Sequence, residues 1–215
     1  MVGFITFEGG DGTGKSTQIR FLERHLIAQG ISCLTTREPG GTSLGQLLRQ
    51  ILLENGNRAI SSSTELFLYL ADRAQHVHEV IAPAIAQGKI VLSDRHTDST
   101  VAYQGYGRGF DLQLLLSLNR IASQGLTPDI TFLLDCPVQL GLSRTVHRRS
   151  GSATVKSNDR FENEKLEFHE KVRQGFLDLA RAEPARFHVI DASRSEQKVF
   201  AAVREIVDRR LDLSN

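Results

Sequence analysis

Gly9-Gly10-Asp11-Gly12-Thr13-Gly14-Lys15-Ser16 is the stretch whose reading decides the fold. It fits G-x-x-x-x-G-K-[ST], the phosphate-binding P-loop, and its flanks fit as well. Before it runs Phe4-Ile5-Thr6-Phe7, a short apolar segment of β type. After it runs Thr17 to Gln29, with Ile19, Leu22, Leu26 and Ile27 at helical spacing. Strand, glycine loop and helix in that order give the motif structural meaning. The glycines let the backbone curl until successive N–H groups point inward at phosphate oxygens. The helix start at Ser16-Thr17 adds its partial positive charge. Lys15 is placed to reach the β- and γ-phosphates of a nucleotide, and Ser16 offers a hydroxyl to Mg²⁺. A glycine-rich turn beside a surface lysine is the bland alternative, and it leaves the flanks unexplained.

Outward from this loop, strand and helix signals alternate to the end of the chain. Strands are expected at 4–8, 32–36, 90–94, 130–135 and 188–191, three of them ending in Asp94, Asp135 and Asp191. Helices are expected at 15–29, 44–55, 65–87, 112–124, 138–149, 161–182 and 196–211. Gly30, Gly56, Gly88 and Gly125 stand where left-handed C-caps belong, Pro184 stops the helix before it, and Asp111 and Ser195 are N-cap candidates. The alternation implies an α/β fold of three layers, a five-stranded parallel sheet with helices on both faces. Ligands of such a sheet bind beyond the carboxyl ends of its strands.

The chain has 215 residues, 40% of them hydrophobic, enough for a single domain spanning 1–215. Basic and acidic residues nearly cancel, 26 against 25, so no bulk nucleic-acid or membrane binding is expected. Cys33 and Cys136 form neither a C-x-x-C pair nor a metal cluster, and are expected to be free core thiols in a reducing compartment. No leader and no apolar run of bilayer length is evident, so a cytoplasmic protein is expected.

Beyond strand two, Arg37-Glu38-Pro39-Gly40-Gly41-Thr42 makes a rigid turn at the ligand-facing edge, and Arg49 in the next helix can point back into the same cleft. Asp94-Arg95-His96 ends the third strand. An aspartate there can hold Mg²⁺ with Ser16, and Arg95 can grip a phosphate. The stretch from Ser99 through Thr100, Tyr103 and Gln104 to Gly109 mixes donors, aromatics and glycines, and suits a surface around a flat polar ligand. Tyr69 and Arg73, four apart on a helix, share a face; they either stack and hydrogen-bond a base or serve as core and surface, and spacing does not choose. The histidines are read as surface or structural.

From Ser150 to Asn158 the sequence is small and polar, with Arg144, Arg148, Arg149, Lys156 and Arg160 on or beside it. Over about 144–160 this suits a mobile lid that closes basic groups over a phosphate, rather than an idle surface loop.

FEGGDGTGKST, TREPGGT, LYLADRAQH, SDRHTDSTVAYQGYGRG, PDITFLLD, DRFE and VIDAS occur in this order, and together they resemble the thymidylate kinase family. The resemblance spans nearly the whole chain. It implies a nucleoside-monophosphate kinase fold of the P-loop type, with ATP and dTMP as small-molecule substrates and Mg²⁺ as cofactor. It also implies a homodimer. By the same resemblance Asp11 lies near the sugar 3′-hydroxyl and the metal, while Arg95, Arg49 and nearby Arg37 hold the dTMP phosphate. Tyr69 stacks on thymine, Arg73 donates to its edge, Thr100 and Gln104 line the base, and Tyr103 disfavours a ribose hydroxyl. Arg148 lies beside the adenine of ATP, with the segment at Ala192-Ser193 as the other wall. Some relatives carry a basic residue where this chain has Gly12. This chain resembles the bacterial class whose lid supplies arginines, here Arg144, Arg148 and Arg149, and an arginine placed at position 12 is expected to do part of their work.

Rival readings are a kinase of another nucleotide and a GTP-binding switch. The switch should carry an Asn-Lys-x-Asp motif after a later strand, and none is present.

Overall fold

Burial is nearly continuous along the central strands, as a sheet covered on both faces requires, while successive side chains alternate between those faces. In β4 (Ile130–Asp135), Ile130, Phe132 and Leu134 enter one apolar cluster while Leu133 enters another on the opposite face. The structure is a computed structural model that describes residues 2–53, 60–150, 161 and 164–213, with the side chains of 147–150 outside that description. β1 (Phe4–Glu8), β2 (Cys33–Arg37), β3 (Ile90–Asp94), β4 and β5 (Phe187–Asp191) pair in parallel in the order β2-β3-β1-β4-β5. Register sets Phe7 beside Asp94 and Arg37 beside Asp94, so the P-loop and the chemistry-bearing ends of β2 and β3 share one edge.

α1 (Lys15–Ala28) buries Ile19, Leu22 and Leu26 on one face of the sheet, and α9 (Glu196–Arg210) adds Val199, Val203 and Val207. These positions recur at three- and four-residue intervals, the apolar stripe of an amphipathic helix. On the other face, α8 (Leu166–Ala182) brings Phe168, Val172, Phe176 and Ala180 against Leu133 and Phe187. Each fully buried side chain of this size contributes about 1.5–3 kcal/mol. A continuous helical run made of α3 (Ser62–His76), a π-helical segment (Val77–Ile81) and α4 (Ala82–Ala86) packs Val77, Ile81 and Ala84 on Phe4 and Val91. α2 (Ser43–Leu53), the short α5 (Thr97–Thr100), α6 (Leu112–Ala122) and α7 (Val138–Ser150) complete the described elements.

The expected α/β layering is observed, with local departures. β2 is shifted one residue to Cys33–Arg37, and β5 begins at Phe187. Gly30, Gly88 and Gly125 end their helices at φ 74, 74 and 77°, whereas Gly56 lies outside the described residues. Asp111 caps α6 through Leu114 N at 2.8 Å, but Ser195 opens α9 without a side-chain cap. Cys136 is buried and Cys33 half-buried, and they are not bonded to each other.

Two departures bear on the site. α8 starts at Leu166 rather than 161, because Phe161 is drawn off into a buried aromatic cluster with Tyr103 and Phe168. The glycine-bearing stretch after Ser99 is helical, with α5 running into a π-helical segment, Val101–Gly107. Its glycines mark close approach, not a turn. A Cβ on Gly105 would meet Leu112 at 2.6 Å, and one on Gly107 would meet Phe168 at 2.5 Å.

Candidate active site

The carboxyl ends of β1, β2 and β3, together with α3 and the Thr97–Gly107 helical stretch, enclose a cleft of about 280 Å³. Its walls include Asp11, Gly12, Gly14, Lys15, Ser16 and Thr17 of the P-loop. They also include Arg37, Glu38, Pro39, Arg49, Tyr69, Arg73, Asp94, Arg95, Ser99, Thr100, Tyr103 and Gln104. Residues from five separate stretches of sequence are thus gathered around one space.

At the loop end, Lys15 is only 7% exposed and donates to Gly9 O at 3.1 Å and Gly10 O at 2.8 Å. Burial and the neighbouring Arg95 charge push its ammonium down to about 8, against the pull of Asp94, Asp11 and Glu8. Thr13 Oγ1 closes the loop onto Gly10 O at 2.9 Å. Ser16 donates its hydroxyl to Asp94 Oδ2 at 2.7 Å, bringing two hard oxygen ligands together at the foot of the cleft. Among the described residues no cluster of three or more His, Cys, Asp or Glu side chains forms a self-sufficient metal site. A Mg²⁺ held here would take its other ligands from phosphates and water, and the Ser16–Asp94 pair fits that donor set.

Arg95 sits between the loop and the rest of the cleft. Its backbone is left-handed, φ 74°, a conformation that costs an ordinary residue about 1–3 kcal/mol and aims the side chain back over the P-loop. The guanidinium bonds Asp11 Oδ1 at 2.7 Å, Gly9 O at 3.0 Å, Ser99 Oγ at 3.1 Å and Tyr103 Oη at 3.0 Å. Burial works against the charge, but Tyr103 and Asp11 outweigh it and hold Arg95 protonated. Burial likewise opposes the Asp11 carboxylate, and Arg95 and Lys15 bring its pKa below the usual range.

Farther from the loop, Arg73 is 1% exposed, so the surface reading of this residue is wrong. It donates to Glu38 Oε2 at 2.8 Å, Thr100 Oγ1 at 2.9 Å, Asn119 Oδ1 at 2.6 Å and His96 O at 2.9 Å. Four of its five N–H donors are thereby committed, and one is left at the cleft. Glu38 also accepts from His76 Nδ1 and His96 Nδ1. Burial opposes its charge, yet Arg73 and His96 hold its carboxyl well below the usual range. Arg49 reaches back to Pro39 O at 2.9 Å.

Arg144 and Ala192 do not line this cleft. They meet each other on the far side of the P-loop, where Arg144 donates to Ala192 O at 2.8 Å and Ser193 O at 3.4 Å. The backbone of Arg148 and Arg149 belongs to α7, but their side chains lie outside the described residues, as does most of the 144–160 stretch.

Several residues in and behind the cleft wall escape the sequence reading. Glu8 ends β1 and is fully buried, accepting from His96 N and Ser99 Oγ; burial and the Asp98 charge push its carboxyl up to about 8. An acid closing an otherwise apolar strand was its only sequence signal. His76 and His96 are buried partners of Glu38 beside the cleft, and scattered histidines give no spacing that would reveal this. Phe161 and Leu53 add apolar wall.

With this geometry, likeness to known proteins gains meaning. A sequence model described as thymidylate kinase matches residues 7–203. The chain is 53% identical over 208 residues to a thymidylate kinase of Solidesulfovibrio magneticus, covering 97% of this chain and all of the relative. It is 51% identical to one of Geotalea uraniireducens, covering 97% of each. Among solved structures it is similar to a crystal structure of thymidylate kinase from Ehrlichia chaffeensis, with TM-score 0.76 and 34% identity, over 96% of this chain and 98% of that one.

Proposed function

The chain belongs to the thymidylate kinase family, and on that premise we propose how its cleft carries out the family reaction. The reaction is transfer of the ATP γ-phosphoryl group to dTMP, giving dTDP and ADP. The observation that carries the residue assignments is the division of one cleft into two ends. A P-loop with Lys15, Ser16 and Asp94 lies at one end, a pocket with Tyr69, Arg73, Thr100 and Gln104 at the other, and Arg95 between them. In our reading ATP phosphates occupy the P-loop, Gly9 to Thr17. Lys15 leaves the carbonyls of Gly9 and Gly10 for the phosphate oxygens. The dTMP phosphate faces Arg95, Arg49 and Arg37, with Glu38 and Pro39 as the wall behind them. Tyr69 stacks on the base, and the spare N–H of Arg73 meets a carbonyl oxygen on its edge. Tyr103 and Asp11, both bonded to Arg95, flank the deoxyribose.

The acceptor phosphate is already anionic, so no strong general base is needed. Catalysis rests on alignment and charge neutralisation by Lys15, Arg95 and the α7 arginines Arg148 and Arg149. Ser16 and Asp94 would hold Mg²⁺, which when bound neutralises the β- and γ-phosphate oxygens. Arg144 and Ala192 support the adenine side.

No helix among the described residues is long and apolar enough to cross a membrane. We assign the protein to the cytoplasm, in line with its unpaired cysteines. For the homodimer, exposed Leu47 and Ile51, four apart on α2, together with exposed Phe67 on the neighbouring α3, offer an apolar face. A second copy would bury this patch against itself across a two-fold axis. Light scattering of Phe67→Glu should then report a monomer, and an unchanged mass would remove this face.

The deciding experiment is a coupled ADP-release assay with dTMP, dUMP, dCMP, UMP and AMP, on wild type and Lys15→Ala. The fastest turnover is expected with dTMP. Lys15→Ala should lose on the order of 10² or more in kcat/KM while staying folded. Preference for another monophosphate would sink the base assignment, and normal turnover of the variant would remove the P-loop role.

A further inference from the structure

We propose that Glu65 is a specificity-determining residue, which fixes the side-chain amide of Gln104 so that its carbonyl oxygen, and not its NH₂ group, faces the nucleobase. Glu65 lies on α3 and is 1% exposed, and Gln104, also 1% exposed, lines the cleft. Gln104 Nε2 donates to Glu65 Oε1 at 2.9 Å. Arg108 grips the same carboxylate, with Nε 3.3 Å from Oε1 and Nη2 3.2 Å from Oε2. A carboxylate paired with arginine is ionised and can only accept hydrogen bonds. Gln104 must therefore turn its NH₂ to Glu65, and its oxygen is what remains for the ligand. Chemistry sets the orientation here, since oxygen and nitrogen of an amide are otherwise interchangeable in shape.

Arg108 in turn is anchored from a second side. Its other terminal nitrogen bonds Glu164 at 2.7 Å, and its guanidinium lies 5.4 Å over Phe161 and 4.7 Å over Phe168. Glu65 is thus held at both oxygens by a cation that is itself immobilised, so the amide has no competing arrangement of equal energy.

The consequence concerns base choice, and it rests on the reading that the base occupies the Tyr69–Arg73 end of the cleft. A pyrimidine dione such as thymine presents carbonyl oxygen, N3–H and carbonyl oxygen along its edge. Cytosine presents an oxygen, an unprotonated N3 and an amino group. An acceptor from Gln104 beside a donor from Arg73 matches the dione at N3–H and O4. It opposes cytosine at both positions, acceptor against acceptor and donor against donor. The selection against cytosine is therefore set by a carboxylate that need not touch the base. Buried groups left mispaired are what make such rejection strong.

The test is the ratio of kcat/KM for dTMP to that for dCMP in wild type, Glu65→Gln, Glu65→Asp and the exchange Glu65→Gln/Gln104→Glu. Glutamine at 65 can offer its own NH₂ to Gln104 and let the amide turn over, so the ratio should fall about tenfold or more. KM for ATP should not move. Glu65→Asp keeps the charge and withdraws the carboxylate from Gln104; it should lower the ratio too, and it carries the comparison should Glu65→Gln fail to fold. In the exchange variant residue 65 donates and residue 104 can only accept, so the preference for dTMP should return. Equal losses for both nucleotides, with an unchanged ratio, would show that Glu65 is merely structural and overturn the proposal. So would an exchange variant no more selective than Glu65→Gln. Failure of the wild-type protein to phosphorylate dTMP would instead overturn the functional reading beneath it.

Discussion

The carbonyl oxygen of Gly141, on α7, occupies the space that a Cβ on Gly12 would fill. The contact is reciprocal, since a Cβ on Gly141 would stand 2.5 Å from Asp11 O. Gly12 also has φ 73°, a value that strains other residues. The backbone of α7 therefore rests directly on the P-loop, and neither glycine tolerates a side chain without moving one of them. Gly12→Ala and Gly141→Ala should each lower stability by about 1–3 kcal/mol, the usual cost of overpacking, and should depress kcat/KM. Placing arginine at position 12 was expected to stand in for the α7 arginines. The structure gives the opposite expectation, because the added side chain displaces the helix that carries them. Melting curves and kinetics of Gly12→Ala, Gly12→Arg and Gly141→Ala check this, and a fully active, equally stable Gly12→Arg would refute it.

Lys15 should mark the pH profile. Its proton is held only up to about 8 in the free protein, because it is buried beside Arg95. Bound phosphates favour the charged form, so the bound complex keeps the proton to higher pH. kcat/KM should therefore fall above about pH 8 while kcat stays level over the same interval. For stability the sign is the reverse. Between about 8 and the unfolded value of 10.5 the unfolded chain binds more protons at this group, so its contribution to stability rises with pH. Glu8 titrates in the same region, at about 8. A profile of Glu8→Gln separates the two, and loss of the alkaline limb in that variant would assign it to Glu8.

Arg73 is more than a donor to the base. Its charge and that of Glu38 are buried together, each about 2% exposed at the side chain. Removing one partner of such a pair leaves the other uncompensated and costs about 3–5 kcal/mol. Arg73→Ala should consequently lower the denaturation midpoint sharply, in addition to any effect on KM for dTMP. Arg73→Lys keeps the charge but loses the planar fork, and should retain more stability while still raising KM for dTMP. Urea melts paired with steady-state kinetics decide it. An Arg73→Ala protein as stable as wild type would mean that the Glu38 cluster tolerates the loss.

Much of this was legible from local signals. The P-loop, its flanking strand and helix, and the Asp94-Arg95 pair lie in contiguous sequence, and parallel pairing carries them to one edge. The Glu38–His76–His96–Arg73 cluster was not legible, because its members are up to 58 residues apart and become partners only when β2, β3 and α3 converge. The Thr97–Gly107 helical stretch was masked for another reason. Gly105 and Gly107 look like chain breakers in sequence, yet both serve close packing against α6 residues and Phe168. Phe161 was assigned to α8 because apolar periodicity extends through it, whereas burial beside Tyr103 pulls it out of the helix.

Arg144 and the pair Arg148–Arg149 should separate in kinetics. Arg144 is fastened to the carbonyls of Ala192 and Ser193, away from the cleft that joins the P-loop to the base pocket. Arg144→Ala should therefore act on the adenine side and raise KM for ATP, with a modest change in kcat. Gly12 leaves the P-loop without a cation of its own, and α7 lies against it through Gly141. The charge developing on the transferred phosphoryl then depends on Lys15, Arg95 and the arginines farther along α7. Arg148→Gln/Arg149→Gln should lower kcat by on the order of 10²–10³, at or just below the range for arginine fingers. KM for dTMP should change much less, since the acceptor is held by Arg95, Arg49 and the base pocket. Steady-state kinetics on both variants, with circular dichroism to confirm folding, provide the measurement. An unchanged kcat in the double variant would mean that Lys15, Arg95 and Mg²⁺ suffice. A large fall in kcat for Arg144→Ala alone would move the catalytic cation to the wrong side of this assignment.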